Sequence, residues 1–222
     1  LLRSENLMTG EVEETRLESE APAPAGVDAL VLDHQVRNLF GGTANQEQTS
    51  LGDTWEYDGL DGVQASPAAS PPGRFGHAMA YDPRSQRVVL FGGASSSGGT
   101  TQLLGDTWEY DGLTWTERSP TSAPAPRAGH RLVWDETAQT LVFVGADFMG
   151  AGTTDTYVWD GTTWTDTTTV AAPPARGYPA AAHDPGRDAL VLFGGSVSDG
   201  NTVSYLQDTW QRIGGVWDDL LT

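Results

Sequence analysis

Cysteine and lysine are absent from this chain of 222 residues, and each absence closes off a class of chemistry. Without cysteine there is no thiol nucleophile, no thiolate metal ligand and no disulfide. Without lysine there is no Schiff base and no lysine-dependent phosphate loop. All 12 basic residues are arginine, set against 30 Asp and Glu, which gives a formal net charge of −18 and a pI near 4.3. So acidic a surface repels phosphate backbones, and nucleic acid is disfavoured as a partner. No apolar run approaches the ~20 residues that span a bilayer as a helix, so membrane insertion is not expected. Nor does any window sustain apolar residues at a 3.6-residue period, and almost no helix is expected past residue 28. The G-x-S-x-G, H-E-x-x-H and P-loop signatures are missing as well.

What the chain does have is a pattern written four times. Aromatics closing an apolar run fall at Phe40, Phe91, Phe143 and Phe193, with glycine pairs after them at Gly41-Gly42, Gly92-Gly93 and Gly194-Gly195; the third copy reads Val144-Gly145 and keeps half the pair. Each copy then carries Asp-Thr-aromatic: Asp53-Thr54-Trp55, Asp106-Thr107-Trp108, Asp155-Thr156-Tyr157 and Asp208-Thr209-Trp210. Trp115, Trp164 and Trp217 follow after a tight turn, and Gly62 stands at that place in the first copy. An opening segment, Arg74-Phe75-Gly76-His77 or Arg127-Ala128-Gly129-His130, becomes Arg176-Gly177-Tyr178-Pro179 in the fourth copy, which keeps only the arginine. A period near fifty residues is the mark of a repeat architecture.

One unit reads as four short strands. The first ends at a turn where Asp caps the backbone (Asp82, Asp135, Asp184). The second, such as Val88 to Phe91, is apolar at every position, so both of its faces should be covered. The third and fourth mix Thr with Trp and Tyr, which suits a half-buried pleated surface. Asp-Gly steps at Asp58-Gly59, Asp111-Gly112 and Asp160-Gly161 supply hairpin turns.

Four-stranded units at this period, with Gly pairs, Asp-Thr-aromatic steps and the wording of Gly105-Asp106-Thr107-Trp108, resemble the kelch motif of bacterial kelch and galactose-oxidase-like proteins. The resemblance implies an all-β fold, a kelch-type β-propeller with four antiparallel four-stranded blades visible. Blade 1 (26–70, degenerate), blade 2 (71–123), blade 3 (124–172) and blade 4 (173–222) would follow an acidic segment (1–25) that is either a tail or the remnant of a preceding blade. The remnant reading comes from Ala21-Pro22-Ala23-Pro24, which aligns with Ala123-Pro124-Ala125-Pro126. A larger or open ring is expected rather than closure at four, because end blades expose apolar faces that invite association.

The repeated Asp53, Asp106, Asp155 and Asp208 are expected to recur because the blade recurs, paired with the arginines Arg74, Arg127 and Arg176 that open neighbouring units. His77 and His130 are equivalent positions expected far apart on the ring, and His34 and His183 are expected near strand ends without partners; no metal site is expected. Asp58-Gly59-Leu60-Asp61-Gly62 lacks the ordered ligands of a calcium loop. The copper cofactor of galactose oxidase needs a tyrosine crosslinked to cysteine, so no cofactor is expected.

A scaffold places recognition in its loops. Those after the Gly pairs differ in every copy: 43–52 with Gln46 and Gln48, 94–105, 146–154 with Phe148 and Met149, and 196–207 with Asp199, Asn201 and Tyr205. The expectation is a non-catalytic propeller that binds a protein or glycan through that face. A sugar-active enzyme of epimerase or lyase type and a structural spacer of a secreted protein are the alternatives. By resemblance the setting would be extracellular or periplasmic.

Overall fold

A computed structural model describes residues 2–5, 12–15, 30–32, 37–44, 49–57, 61–145, 155–199 and 201–220. It holds a hairpin of β1 (Leu2–Glu5) and β2 (Val12–Thr15), then four antiparallel sheets of four strands. The first sheet contains β3 (Leu30–Leu32), β4 (Arg37–Ala44), β5 (Thr49–Tyr57) and β6 (Gly62–Ala65). The second contains β7 (Ala78–Asp82), β8 (Arg87–Ser97), β9 (Thr100–Tyr110) and β10 (Trp115–Arg118). The third contains β11 (Arg131–Asp135), β12 (Thr140–Gly145), β13 (Asp155–Trp159) and β14 (Trp164–Asp166). The fourth is β15 (Ala180–Asp184), β16 (Ala189–Phe193), β19 (Thr209–Ile213) and β20 (Val216–Asp219), with a side hairpin of β17 (Ser196–Ser198) and β18 (Val203–Tyr205). Among the described residues there is no helix, so none is long and apolar enough to cross a membrane.

Each sheet is a meander, and its core lies between it and the next sheet rather than within it. Val88 and Leu90 of β8 join Phe40, Tyr110 and Trp115 between the first two sheets. Val89 and Phe91, on the opposite face, join Leu141, Phe143, Trp159 and Trp164 between the second and third. Val142 and Val144 meet Leu190, Leu192 and Trp217 between the third and fourth. This is why the second strands are apolar throughout: alternate side chains point to opposite faces, and both faces are buried.

The fourth sheet departs from that rule. Phe193 is 50% exposed, whereas Phe40 and Phe91 are buried, because no described sheet follows to cover it. The sheets are therefore not closed into a ring among the described residues.

A second departure is one of phase. Backbone pairing sets Phe40, Phe91, Val144 and Phe193 opposite Thr54, Thr107, Thr156 and Thr209. Val144, not Phe143, thus occupies the aromatic slot of the third sheet, and Phe143 falls in the slot of Leu90. A one-residue shift reverses the face. Phe143 accordingly points back at Phe91, with ring centroids 5.7 Å apart.

The glycine pairs have a local cause. Gly92 sits at φ 62° and begins the register shift between Phe91 and Gly93, a left-handed conformation suited to a bulge. A Cβ on Gly92 would stand 2.9 Å from the Arg127 carbonyl oxygen of the next unit. In the third sheet the described ladder runs regularly through Val144 to the Gly145–Asp155 pair.

Candidate functional site

The invariant letters of the repeat fold into two stitches. In the first, Arg74 is buried completely and spends its donors on the Pro72 carbonyl (3.1 Å), the Gly92 carbonyl (3.0 Å) and both oxygens of Asp106 (2.6 and 2.8 Å). Arg176 does the same with Pro174, Gly194 and Asp208, and Arg127 with Ala125, Gly145 and Asp155. Each arginine pairs with the aspartate of its own sheet, not with that of a neighbouring unit. Its main chain serves the preceding sheet instead, since Gly42 and Gly93 donate to the carbonyls of Arg74 and Arg127. Asp53 has no such arginine in its opening segment, where Ala25 stands, and it accepts from the Trp55 indole at 2.5 Å.

These pairs bias protonation. Burial pushes the Asp106 carboxyl up, but the hydrogen bonds and charge of Arg74, with the Trp108 indole, bring it below its ordinary value. The hydrogen bonds of Arg176 hold Asp208 down at about 2, against burial. The Arg74–Asp106 and Arg176–Asp208 pairs are thus ionised structural braces, with bidentate geometry that satisfies the buried guanidinium.

The second stitch joins sheets. Indole Nε1 of Trp115 donates to Thr54 Oγ1 of the preceding sheet at 3.0 Å, Trp164 to Thr107 at 3.0 Å and Trp217 to Thr156 at 3.1 Å. Every letter of Asp-Thr-Trp is thereby explained: the Asp holds the arginine and its own indole, and the Thr receives the next sheet's tryptophan. Tyr110 adds a bond from its hydroxyl to Glu56 at 2.8 Å, and burial together with that carboxylate pushes the phenol above its ordinary value.

His77 and His130 pack edge-on against Phe40 and Phe91 of the preceding sheets. His130 Nε2 lies 3.1 Å from the Phe91 carbonyl; His77 faces the Phe40 carbonyl with neither ring nitrogen in hydrogen-bond geometry. Burial, then the charge of Arg74 or Arg127, lowers both to about 3, and both imidazoles are neutral.

Recognition residues belong elsewhere. Beyond the bulge, β8 and β9 continue as a paired arm out to Ser97 and Thr100, and β4 and β5 do so out to Ala44 and Thr49. The two arms stand side by side, with Ser96 N donating to Ser50 Oγ at 2.9 Å. In the fourth sheet the arm is the β17–β18 hairpin. Asp199 closes its turn, its Oδ1 accepting from the backbone of Asn201 (2.9 Å) and Thr202 (2.7 Å). Tyr205 is 80% exposed on the same strand face as exposed Val203. Gln46, Gln48, Phe148 and Met149 lie outside the described residues, as do Asp58, Gly59 and Leu60.

The opposite end of the sheets carries the first turns. There Asp135, His183 and Asp188 converge, with His183 Nε2 3.8 Å from an oxygen of each carboxylate and hydrogen-bonded to neither. The signal was present in the repeat: His183 stands where Tyr81 and Trp134 stand, and Asp188 where Gln86 and Gln139 stand.

Residues 63–212, most of the chain, match the family model of the KLHDC2/KLHL20/DRC7 Kelch-repeats domain. No curated protein matches the chain.

Proposed function

We infer that this chain, which belongs to the Kelch-repeat family, binds a protein partner through the arms that extend past the glycine bulges. Kelch-repeat domains generally mediate protein binding, and nothing in the arrangement of the Arg–Asp and Trp–Thr stitches leaves those residues free for chemistry. The observation that supports this face is the pair Tyr205 and Val203, exposed together along β18 of the β17–β18 hairpin. An aromatic held on a rigid strand offers contact area at low entropy cost, which is why tyrosine is enriched at interfaces. The net charge of −18 favours a partner with a basic rim around that contact. A glycan is the second reading, supported by the same exposed ring on the hairpin whose turn carries Asn201.

A photo-crosslinking amino acid at position 205 tests this, with Leu113 as control because it is 81% exposed on the opposite turns. The expected result is a discrete protein adduct from position 205 and none from 113. A glycan array bound by the native chain and lost in Tyr205→Ser, without protein adducts, would favour the glycan reading. Equal labelling from both positions, or adducts from 113 alone, would refute the arm face.

A further inference from the structure

We propose that Asp135, His183 and Asp188 form a divalent-cation site, of the kind zinc takes, at the junction of the third and fourth sheets. His183 Nε2 lies 3.8 Å from Asp135 Oδ1 and 3.8 Å from Asp188 Oδ1, and the three ligand atoms all fall within 4.8 Å of one another. Two ligands at the usual Zn–N and Zn–O lengths of about 2.0–2.2 Å sit roughly 3.3–3.5 Å apart around a tetrahedral ion. The two histidine contacts would close by a few tenths of an ångström and the two carboxylate oxygens, within 4.8 Å of each other, by at most about 1.4 Å to complete the set.

The histidine supplies the independent observation. Its side chain is only 9% exposed, and its Nε2 is buried without any hydrogen-bond partner while pointing between two carboxylates. A buried ring nitrogen left unpartnered between two carboxylates is unfavourable, and a cation bound by all three groups removes the conflict.

Comparison between repeats shows that the cluster is not a by-product of the fold. At the junction of the second and third sheets, Arg84 lies over the Trp134 ring, 5.2 Å from its centroid. One unit later Thr137 replaces the arginine and His183 replaces the tryptophan, while Asp188 replaces Gln139 at the left-handed turn position. Three departures from the repeat meet at one point. The Thr137 hydroxyl donates to Asp188 Oδ1, and the Ala138 amide donates to Asp135 Oδ1 at 2.8 Å, so both carboxylates are oriented by their surroundings.

Among the described residues the opposing charge paired with this cluster is Arg212, with Nη1 4.0 Å from Asp135 Oδ2. It engages the oxygen that faces away from the histidine contact and leaves the cluster net negative. Asp188 is 51% exposed and gives solvent a route in, so a water or a hydroxyl can take the fourth position. One imidazole with two carboxylates suits zinc better than calcium or magnesium, which take oxygen ligands. The site lies at the end opposite the arms and is separate from the binding face proposed above.

The test titrates the chelator-treated full chain with zinc chloride by calorimetry, alongside cobalt(II) absorption as a probe of coordination. The expected result is a stoichiometry of one, with tetrahedral cobalt bands displaced by zinc. Asp188→Asn keeps the left-handed backbone and should weaken binding by more than about tenfold. His183→Gln should abolish the cobalt bands. Saturable binding that survives in Asp188→Asn unchanged overturns the proposal, because the ion then sits elsewhere on the acidic surface. So does the absence of saturable heat, including the case in which NMR shows His183 as an imidazolium paired with the two carboxylates.

Discussion

Replacing Thr107 by valine removes one oxygen and very little volume from the boundary between the second and third sheets. Thr107 and Trp164 are both buried, and their 3.0 Å bond is the indole's hydrogen bond across that boundary. Valine fits a strand as well as threonine does, so the backbone has no reason to move. What changes is that a buried N–H loses its acceptor, which costs about 1–3 kcal/mol. We expect about 2 kcal/mol. The same substitution at Thr209 is the internal control, because Thr209 occupies the equivalent position on the fourth sheet, beyond which no described sheet follows, and among the described residues no indole donates to it. Thr209→Val should stay within about 0.5 kcal/mol of the parent. Urea unfolding followed by tryptophan fluorescence reads both, and Thr107→Val should lower the midpoint with the slope unchanged. The reasoning fails if Thr107→Val is neutral or if the two variants are equally destabilised. A cycle with Trp164→Phe adds a check, since removing the indole N–H should make the Thr107→Val change nearly neutral.

Two further outcomes follow from the other stitch and from the histidines. Asp106→Asn leaves the fully buried Arg74 guanidinium without its counter-ion and should cost about 3 kcal/mol; a double-mutant cycle with Arg74→Met that shows no coupling removes the pairing from the account. His77 and His130 are held neutral down to about 3, well below the ordinary 6.5, so the unfolded chain takes up protons that the folded chain refuses. Their contribution is whole above pH 6.5 and drains away as the pH falls toward 3, by about 1.4 kcal/mol per pH unit for each imidazole. Chemical unfolding across this acid range should show that loss, and His130→Gln should remove about one imidazole's share of the slope; an unchanged slope would mean that His130 is not buried as a neutral ring.

Much of this architecture could be read from residue order. Gly92-Gly93 and its counterparts, the Asp-Thr-aromatic steps and the Arg of each opening segment recur because every sheet needs the same bulge, brace and tether, and recurrence at one period is visible without coordinates. The Arg–Asp partnership was legible for that reason. Its direction was not: strand spacing alone does not say whether Arg74 meets the aspartate of its own sheet or of the next, since both are reachable in sequence. The third copy misled in a similar way, because Phe143 and Val144 are both apolar and only pairing opposite Thr156 reveals which one takes the aromatic slot.

Local sequence determined the sheets, their turns and the alternation of faces, because those depend on neighbours a few residues away and on a period of two. Tertiary structure decided what each face meets. Whether Phe193 is covered like Phe91, whether Trp164 finds Thr107, and whether His183 comes between Asp135 and Asp188 all depend on residues about fifty positions apart, or on a neighbouring sheet being present. Such contacts arise only when sheets stack, and a repeat read along the chain carries no measure of that third dimension.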